Sequence, residues 1–123
     1  METDDVIERV CRLPIDFYNG SKSMLQLVAE SGIQAHLAAL SPKVLESYIR
    51  DHPHIVEHWL RWSANKRVTS GWFFSHQAGG FSVGFHPQGA VLNFTEPATA
   101  CAEFVIREVS GLAAMLDPKK RNN

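Results

Sequence analysis

Between residues 67 and 95 the hydrophobic pattern has a period of two, and this stretch limits the possible folds more than any other part of the sequence. Apolar residues alternate with other residues in three short runs, which read RVTSGWFFSH, FSVGFH and AVLNFT. Such alternation is typical of β-strands with one buried face. The connecting segments QAGG and PQG consist of turn-forming residues. Three short strands connected in this way predict an antiparallel β-meander.

Residues 1–66 have helical spacing instead, with apolar residues three or four positions apart. Pro14 is predicted to end the first helix and Ser21 to cap the second. Ser41, which a proline follows, predicts the start of another helix, and Pro53 predicts the start of the next. The first half of the chain is therefore predicted to be mainly helical.

The segment 97–117 carries a wide apolar stripe at helical spacing, which predicts a helix that covers one face of the sheet. The order of these elements defines an α+β fold: N-terminal helices, a three-stranded antiparallel β-meander over 67–95, and a C-terminal helix packed on the sheet. We expect a single domain over residues 1–123, because a chain of this length buries a core without disulfides or metal. Residues 118–123 are predicted to form a flexible tail. The stripe consists of Ala98, Cys101, Ala102, Val105, Val109, Leu112, Ala113 and Leu116.

The charge balance argues against some classes of partner. The chain has 12 Lys and Arg and 13 Asp and Glu, a net charge of -1, whereas a nucleic-acid-binding domain normally has a basic face. No apolar run approaches the roughly 18 residues of a membrane span, and the acidic start METDDVIERV is unlike a signal peptide. We therefore expect a cytoplasmic protein without nucleic-acid or membrane partners. Cys11 and Cys101 form no CxxC pair, so we expect buried thiols and no cofactor.

The stretch HPHIVEHW contains H-x-x-E-H, a motif in which two histidines one helical turn apart hold zinc and the glutamate acts as a general base. On a helical wheel His54, Glu57 and His58 fall on the side opposite the apolar residues of this helix. That placement makes two-point metal binding sterically possible. One alternative for the chain is therefore a small metal-dependent hydrolase that uses these three residues.

Three features oppose that alternative. Arg61 follows Glu57 by four residues, which favours a surface ion pair and places a cation beside the motif. A zinc site also needs a third protein ligand, and the nearest candidates are Glu103 and Glu108. Glu103 points away from the apolar stripe of the last helix and is predicted to pair with Arg107, four residues on, whereas Glu108 lies on the flank of that stripe. His54 lies in the first helical turn, where the helix dipole disfavours added positive charge. We therefore interpret the motif as a solvated helix face and predict no catalytic and no metal-binding residues.

Aromatic residues exceed what one buried sheet face requires. In the first predicted strand Trp72 and Phe74 point to one side and Phe73 to the other. On the last helix Phe104 and Met115 fall together outside the apolar stripe. Either the N-terminal helices cover this second surface, or it is a patch that contacts another protein or a second copy. Further candidate contacts are His76 and His86 at strand ends, and Arg67, which is also placed to cap the preceding helix.

The segment WSANKRVTSGWFFSHQAGGFSVGFHPQG, followed by ACAEFVIREV, resembles a class of small bacterial proteins of unknown or immunity-type function. The resemblance covers roughly the C-terminal half. It implies a cytoplasmic protein that binds and neutralises a cognate secreted toxin from a polymorphic-toxin or contact-dependent inhibition system. The matching residues are Trp62, Ser63, Lys66, Arg67, Ser70, Gly71 and Trp72, then Ala100, Cys101, Ala102, Glu103 and Phe104.

We therefore expect a non-enzymatic protein-binding protein, an immunity protein whose partner is a cognate protein toxin. A homodimeric scaffold or regulator is a third alternative, beside the metal-dependent hydrolase. The predicted partner contacts are Arg67, Phe73, His76, His86, Phe104 and Met115.

Overall fold

The computed structural model describes residues 3–65, 71–86 and 89–116. The predicted tail, Arg67 and the first predicted strand residues lie outside these ranges. The elements confirm the predicted α+β fold. They are α1 Thr3–Cys11, α2 Leu13–Asn19, α3 Met24–Ser31, a 3-10 segment Ile33–Ala39, α4 Pro42–Asp51, α5 His54–Asn65, β1 Gly71–Gln77, β2 Gly80–His86, β3 Leu92–Phe94 and α6 Pro97–Met115.

Helix starts follow the capping residues, with two differences from prediction. Ser41 caps α4 as predicted, because its hydroxyl accepts a hydrogen bond from the backbone N–H of Val44 at 3.2 Å. The cap of α3 is Ser23, not Ser21, and it accepts from the N–H of Gln26 at 3.1 Å. Pro14 lies in the first turn of α2, where its missing N–H costs no hydrogen bond, so it opens a helix after α1 has ended.

The three strands form an antiparallel sheet in the order β1-β2-β3. Alternation divides its side chains between two faces. One face packs on α6: Phe74 lies parallel to Phe104 with ring centroids 5.5 Å apart, and Arg107 lies over the Trp72 ring at 4.8 Å. We call the opposite side the open face; it carries Phe73, Ser75, Gln77, Ser82, Gly84, His86, Val91 and Asn93.

Helix α6 lies at the centre of the molecule, with the sheet on one side and the N-terminal helices on the other. Phe104 is therefore completely buried, in contact with both Phe74 and the Trp59 ring of α5. At Phe104 the first of the two alternatives therefore holds, since helices cover this side of α6, and Phe104 is not accessible as the partner contact that was predicted. Met115 is 56% exposed, at the C-terminal end of the helix.

The different burial of Phe104 and Met115 predicts different effects for substitutions at these two positions of α6. Phe104→Ala should lower the free energy of unfolding by about 3–5 kcal/mol, because it leaves a cavity between α5 and β1. Met115→Ala is the matched control and should change it by less than about 0.5 kcal/mol. Chemical denaturation measures both. Equal effects for the two variants would contradict the central position of α6.

Candidate functional site

A groove of about 680 Å³ lies between α5 and β1. Leu60, Ser63 and Ala64 form its wall on α5. Its other wall is the whole length of β1, so the groove follows the outer edge of this strand and reaches the open face at Phe73, Ser75 and His86. Among the described helices only α5 and α6 contact the sheet extensively, and α6 lies on the opposite face. The N-terminal helices pack on α6, so within the described ranges α5 is the helix that borders the open face.

Helix α5 is held beside β1 by a hydrogen bond from the Phe74 backbone N–H to the Ser63 hydroxyl, 2.7 Å long. Phe74 is paired with Val83 of β2, and in an antiparallel ladder the N–H groups point alternately toward and away from the neighbouring strand. Its N–H therefore points outward, where an edge strand normally exposes a free donor. Ser63 therefore occupies the donor at the middle of this edge, beside the groove.

The centre of the open face is an aromatic ridge over a glycine. The Phe73 ring lies so close to Gly84 that a Cβ atom built on the glycine would be 2.7 Å from it, and 3.1 Å from Val91. The imidazole of His86 contacts the Phe73 ring, with centroids 4.5 Å apart. Val91 is 49% exposed beside these rings. We call Phe73, His86 and Val91 the ridge. This apolar cluster lies beside the groove, which Phe73 and His86 also line.

The open face carries no formal charge. From Gly71 to Thr95 the sequence contains no Asp, Glu, Lys or Arg, although 20% of all residues are of these types. Exposed sheets normally carry charged side chains, which hinder unwanted association. Depletion of charge is also what distinguishes the core of a protein interface from other surface. This uncharged run can be read directly from the sequence, although it contains no chemical motif.

The side chain of Ser75 lies on the open face, beside the groove. Its oxygen is inaccessible to solvent and has no hydrogen-bond partner within the described part of the chain. On the neighbouring strand the hydroxyl of Ser82 donates instead to the side-chain oxygen of Asn93 at 2.9 Å. An unpaired buried hydroxyl is destabilising.

The predicted partner contacts do not form one cluster. Phe73 and His86 lie together on the open face. His76 lies on the other face, stacked on Phe81 with centroids 4.3 Å apart. Phe104 is in the core and Met115 is at the end of α6. Of the predicted contacts that the structure describes, only Phe73 and His86 therefore share a surface. The open face also carries Ser75, Gln77, Val91 and Asn93.

His54 and Glu57 are exposed as predicted and His58 is half-buried, while Ile55, Val56 and Trp59 are buried on the opposite side of α5. The rings of His54 and His58 are perpendicular, with centroids 6.0 Å apart. Within the described ranges, no group of three His, Cys, Asp or Glu side chains converges as a metal site. Both candidate third ligands have other partners: Glu103 pairs with Arg107 as predicted, and Glu108 accepts a hydrogen bond from the Trp62 indole at 2.8 Å.

The charges around His58 also differ from the predicted arrangement. Arg61 lies over the Tyr18 ring, 4.1 Å from its centroid, and not in a described ion pair with Glu57. Burial lowers the pKa of His58, and the positive charges of His54 and Arg61 lower it further. A neutral imidazole is a competent ligand, but a second histidine alone makes an incomplete site.

The two thiols are buried, as expected for inert cysteines. Burial raises the pKa of Cys11 to about 12 and raises the pKa of Cys101 well above its ordinary value. Both groups stay protonated at neutral pH, and a protonated thiol is a poor nucleophile.

No family model, curated protein or solved structure matches this chain. None of the described helices is both long and apolar enough to cross a membrane.

Two serines that line the groove, Ser63 on α5 and Ser75 on β1, give a matched test of its hydrogen bonds. Ser63→Ala should lower the free energy of unfolding by about 1–2 kcal/mol, because it leaves the N–H of Phe74 without its acceptor. Ser75→Ala should leave the free energy unchanged or raise it by up to about 1 kcal/mol, because it removes a buried hydroxyl that has no partner. Denaturant titration distinguishes the two. A loss in Ser75→Ala as large as that in Ser63→Ala would contradict an unpaired hydroxyl.

Proposed function

We propose that this chain is a non-enzymatic protein-binding protein and that the open face is its binding surface. The observation that carries the proposal is an accessible sheet face without formal charge, next to a groove of about 680 Å³. Hydration of such a face is weak, so its burial in a complex is favourable. The aromatic ridge at Phe73 supplies the kind of anchor residue that contributes most to protein interfaces.

The chemistry of the face specifies the partner surface. A strongly acidic or basic epitope would lose its hydration here and meet no opposite charge among the strand residues. An apolar epitope with a few hydrogen-bonding groups matches the ridge, the groove and the exposed side chains of Gln77 and Asn93. Association should accordingly depend little on salt, in contrast to complexes assembled through charged surfaces.

The resemblance of the C-terminal half to immunity-type proteins makes a cognate bacterial toxin the proposed partner. An immunity protein needs only to cover its toxin, so it requires no catalytic group. The buried thiols and the incomplete ligand set at His54 and His58 are compatible with such a role. Neutralisation would follow from direct binding in the cytoplasm.

Native mass spectrometry of the untagged protein from its own host tests the proposal. The expected mass is that of the chain, 13.8 kDa, plus one other polypeptide, whose gene should lie beside that of this chain and whose product should be toxic alone. Val91→Glu should lose this polypeptide, because it places an unpaired charge at the interface.

Val44→Glu is the control, since Val44 is exposed to a similar degree, 45% against 49%, but lies on α4. It should retain the complex. Retention of the polypeptide by Val91→Glu, or turnover of a substrate that His58→Ala abolishes, would contradict the proposal.

A further inference from the structure

We infer that three histidines at the junction of α4 and α5 form an acid-sensitive device, which destabilises the helical layer when their rings become protonated. They are His52, which follows α4, and His54 and His58 on α5, and we call them the histidine row. These residues lie outside the open face, so the inference does not rest on the proposed function.

The three imidazole rings lie in series. The ring centroids of His52 and His54 are 6.2 Å apart, and those of His54 and His58 are 6.0 Å apart. Both separations are shorter than the Debye length of about 8 Å at physiological salt, so ions in solution screen repulsion between protonated rings only partly. Protonation of the whole row places three like charges next to one another.

The fold holds both ends of the row. The ring of His52 is stacked on Tyr48 with centroids 4.1 Å apart, and its Nδ1 lies 2.9 Å from the carbonyl oxygen of Tyr48. At the other end His58 is half-buried and follows the first turn of α5, next to the fully buried Trp59. Because both ends are held, the rings can separate only if the junction of α4 and α5 changes.

The charges that face His58 favour its neutral form. On α5 these are His54, Glu57 and Arg61, and Arg12 faces it from the end of α1. Of these four groups only Glu57 is acidic. Burial is the largest cause that lowers the pKa of His58; His54, Arg61 and Arg12 lower it further, whereas Glu57 raises it. The positive end of the helix dipole adds to the effect at the start of α5.

Groups on the neighbouring helices do not supply the missing negative charge. On α2, Asp16 lies 3.9 Å from the guanidinium of Arg12, and Tyr18 lies beneath Arg61. On α4, burial and the charge of Glu8 raise the pKa of Tyr48, so this phenol is neutral where histidines titrate.

The remaining two neighbours of α5 are α6 and β1. The α6 carboxylate of Glu108 accepts a hydrogen bond from Trp62, one turn beyond His58. Strand β1 contains no Asp, Glu, Lys or Arg, and its histidine, His76, is stacked on Phe81. Neither element brings a described acidic group to the histidine row.

The direction of the pH effect follows from the lowered pKa of His58. Below about pH 6.5 the unfolded chain binds more protons at this residue than the folded chain does. The stability is therefore fully present above that pH and is lost as the pH falls through the folded pKa. Carboxylates act at lower pH: Lys22 holds the pKa of Glu30 below its ordinary value of 4.5, so that ion pair persists through the histidine range.

Denaturant titration of the full chain at about pH 7.5 and about pH 5.5 tests the inference. The equilibrium constant for unfolding should rise about tenfold at the lower pH, since a pKa difference of one unit corresponds to a factor of ten. His58→Gln should remove most of this rise, because an amide does not titrate. His54→Gln, at an exposed position, should reduce it as well, because a like charge beside His58 is then absent.

His36→Gln is the matched control, since His36 is also half-buried but lies in the 3-10 segment. It should keep the full rise. If a variant does not fold, the ring-proton NMR titration of His58 in the unchanged protein still decides, with a midpoint expected below pH 6.5. Equal unfolding constants at both pH values, or a rise that His58→Gln and His36→Gln keep alike, would overturn the inference and leave the proposed binding function intact.

Discussion

The contact of Phe104 with both Trp59 and Phe74 is the interaction on which the arrangement of the layers depends. One side chain of α6 connects the helical layer to the sheet, and it is fully buried. Helix α6 is therefore covered on two sides, by the sheet and by the N-terminal helices. Each of these two layers needs to bury only one of its own sides against α6. The N-terminal helices bury their apolar sides on α6 and are not available to cover the far face of the sheet. The uncovered face is therefore a consequence of the layer order.

Polar groups position the parts around this centre. Ser63 holds α5 against β1 through the Phe74 N–H, and the Trp59 indole donates to the backbone carbonyl of Cys11 at 3.1 Å. Each connects α5 to a distant part of the chain, the sheet on one side and α1 on the other. On the α6 side of the sheet, Arg107 contributes its charge next to Trp72. The charge on the sheet thus comes from the helix that covers it, and the strands themselves contribute none.

Much of the fold could be predicted from the sequence, because period and capping are local properties. The alternation of Trp72, Phe74, Phe81 and Val83 specified the strands and the face that packs on α6. The cap at Ser41 specified the start of α4.

What could not be predicted is which elements share a neighbour. Phe104 lies off the apolar stripe of its own helix, and only the position of Trp59 in space shows that a second layer covers it. His76 and Phe73 are three residues apart on β1, so the period of two already implied that they lie on opposite faces and cannot share one contact surface. The site was only partly predictable, because Phe73 and His86 come together through pairing of β1 with β2.

The lack of charge connects the fold to the proposed function and also sets a condition on it. A face without charged side chains supplies no electrostatic steering, so discrimination between partners must come from the shape and the hydrogen-bonding groups of the face. The same lack of charge leaves little to hinder association with unrelated apolar surfaces. The proposed binding function therefore requires that the contacts made by Phe73 and Val91 fit one partner much better than others.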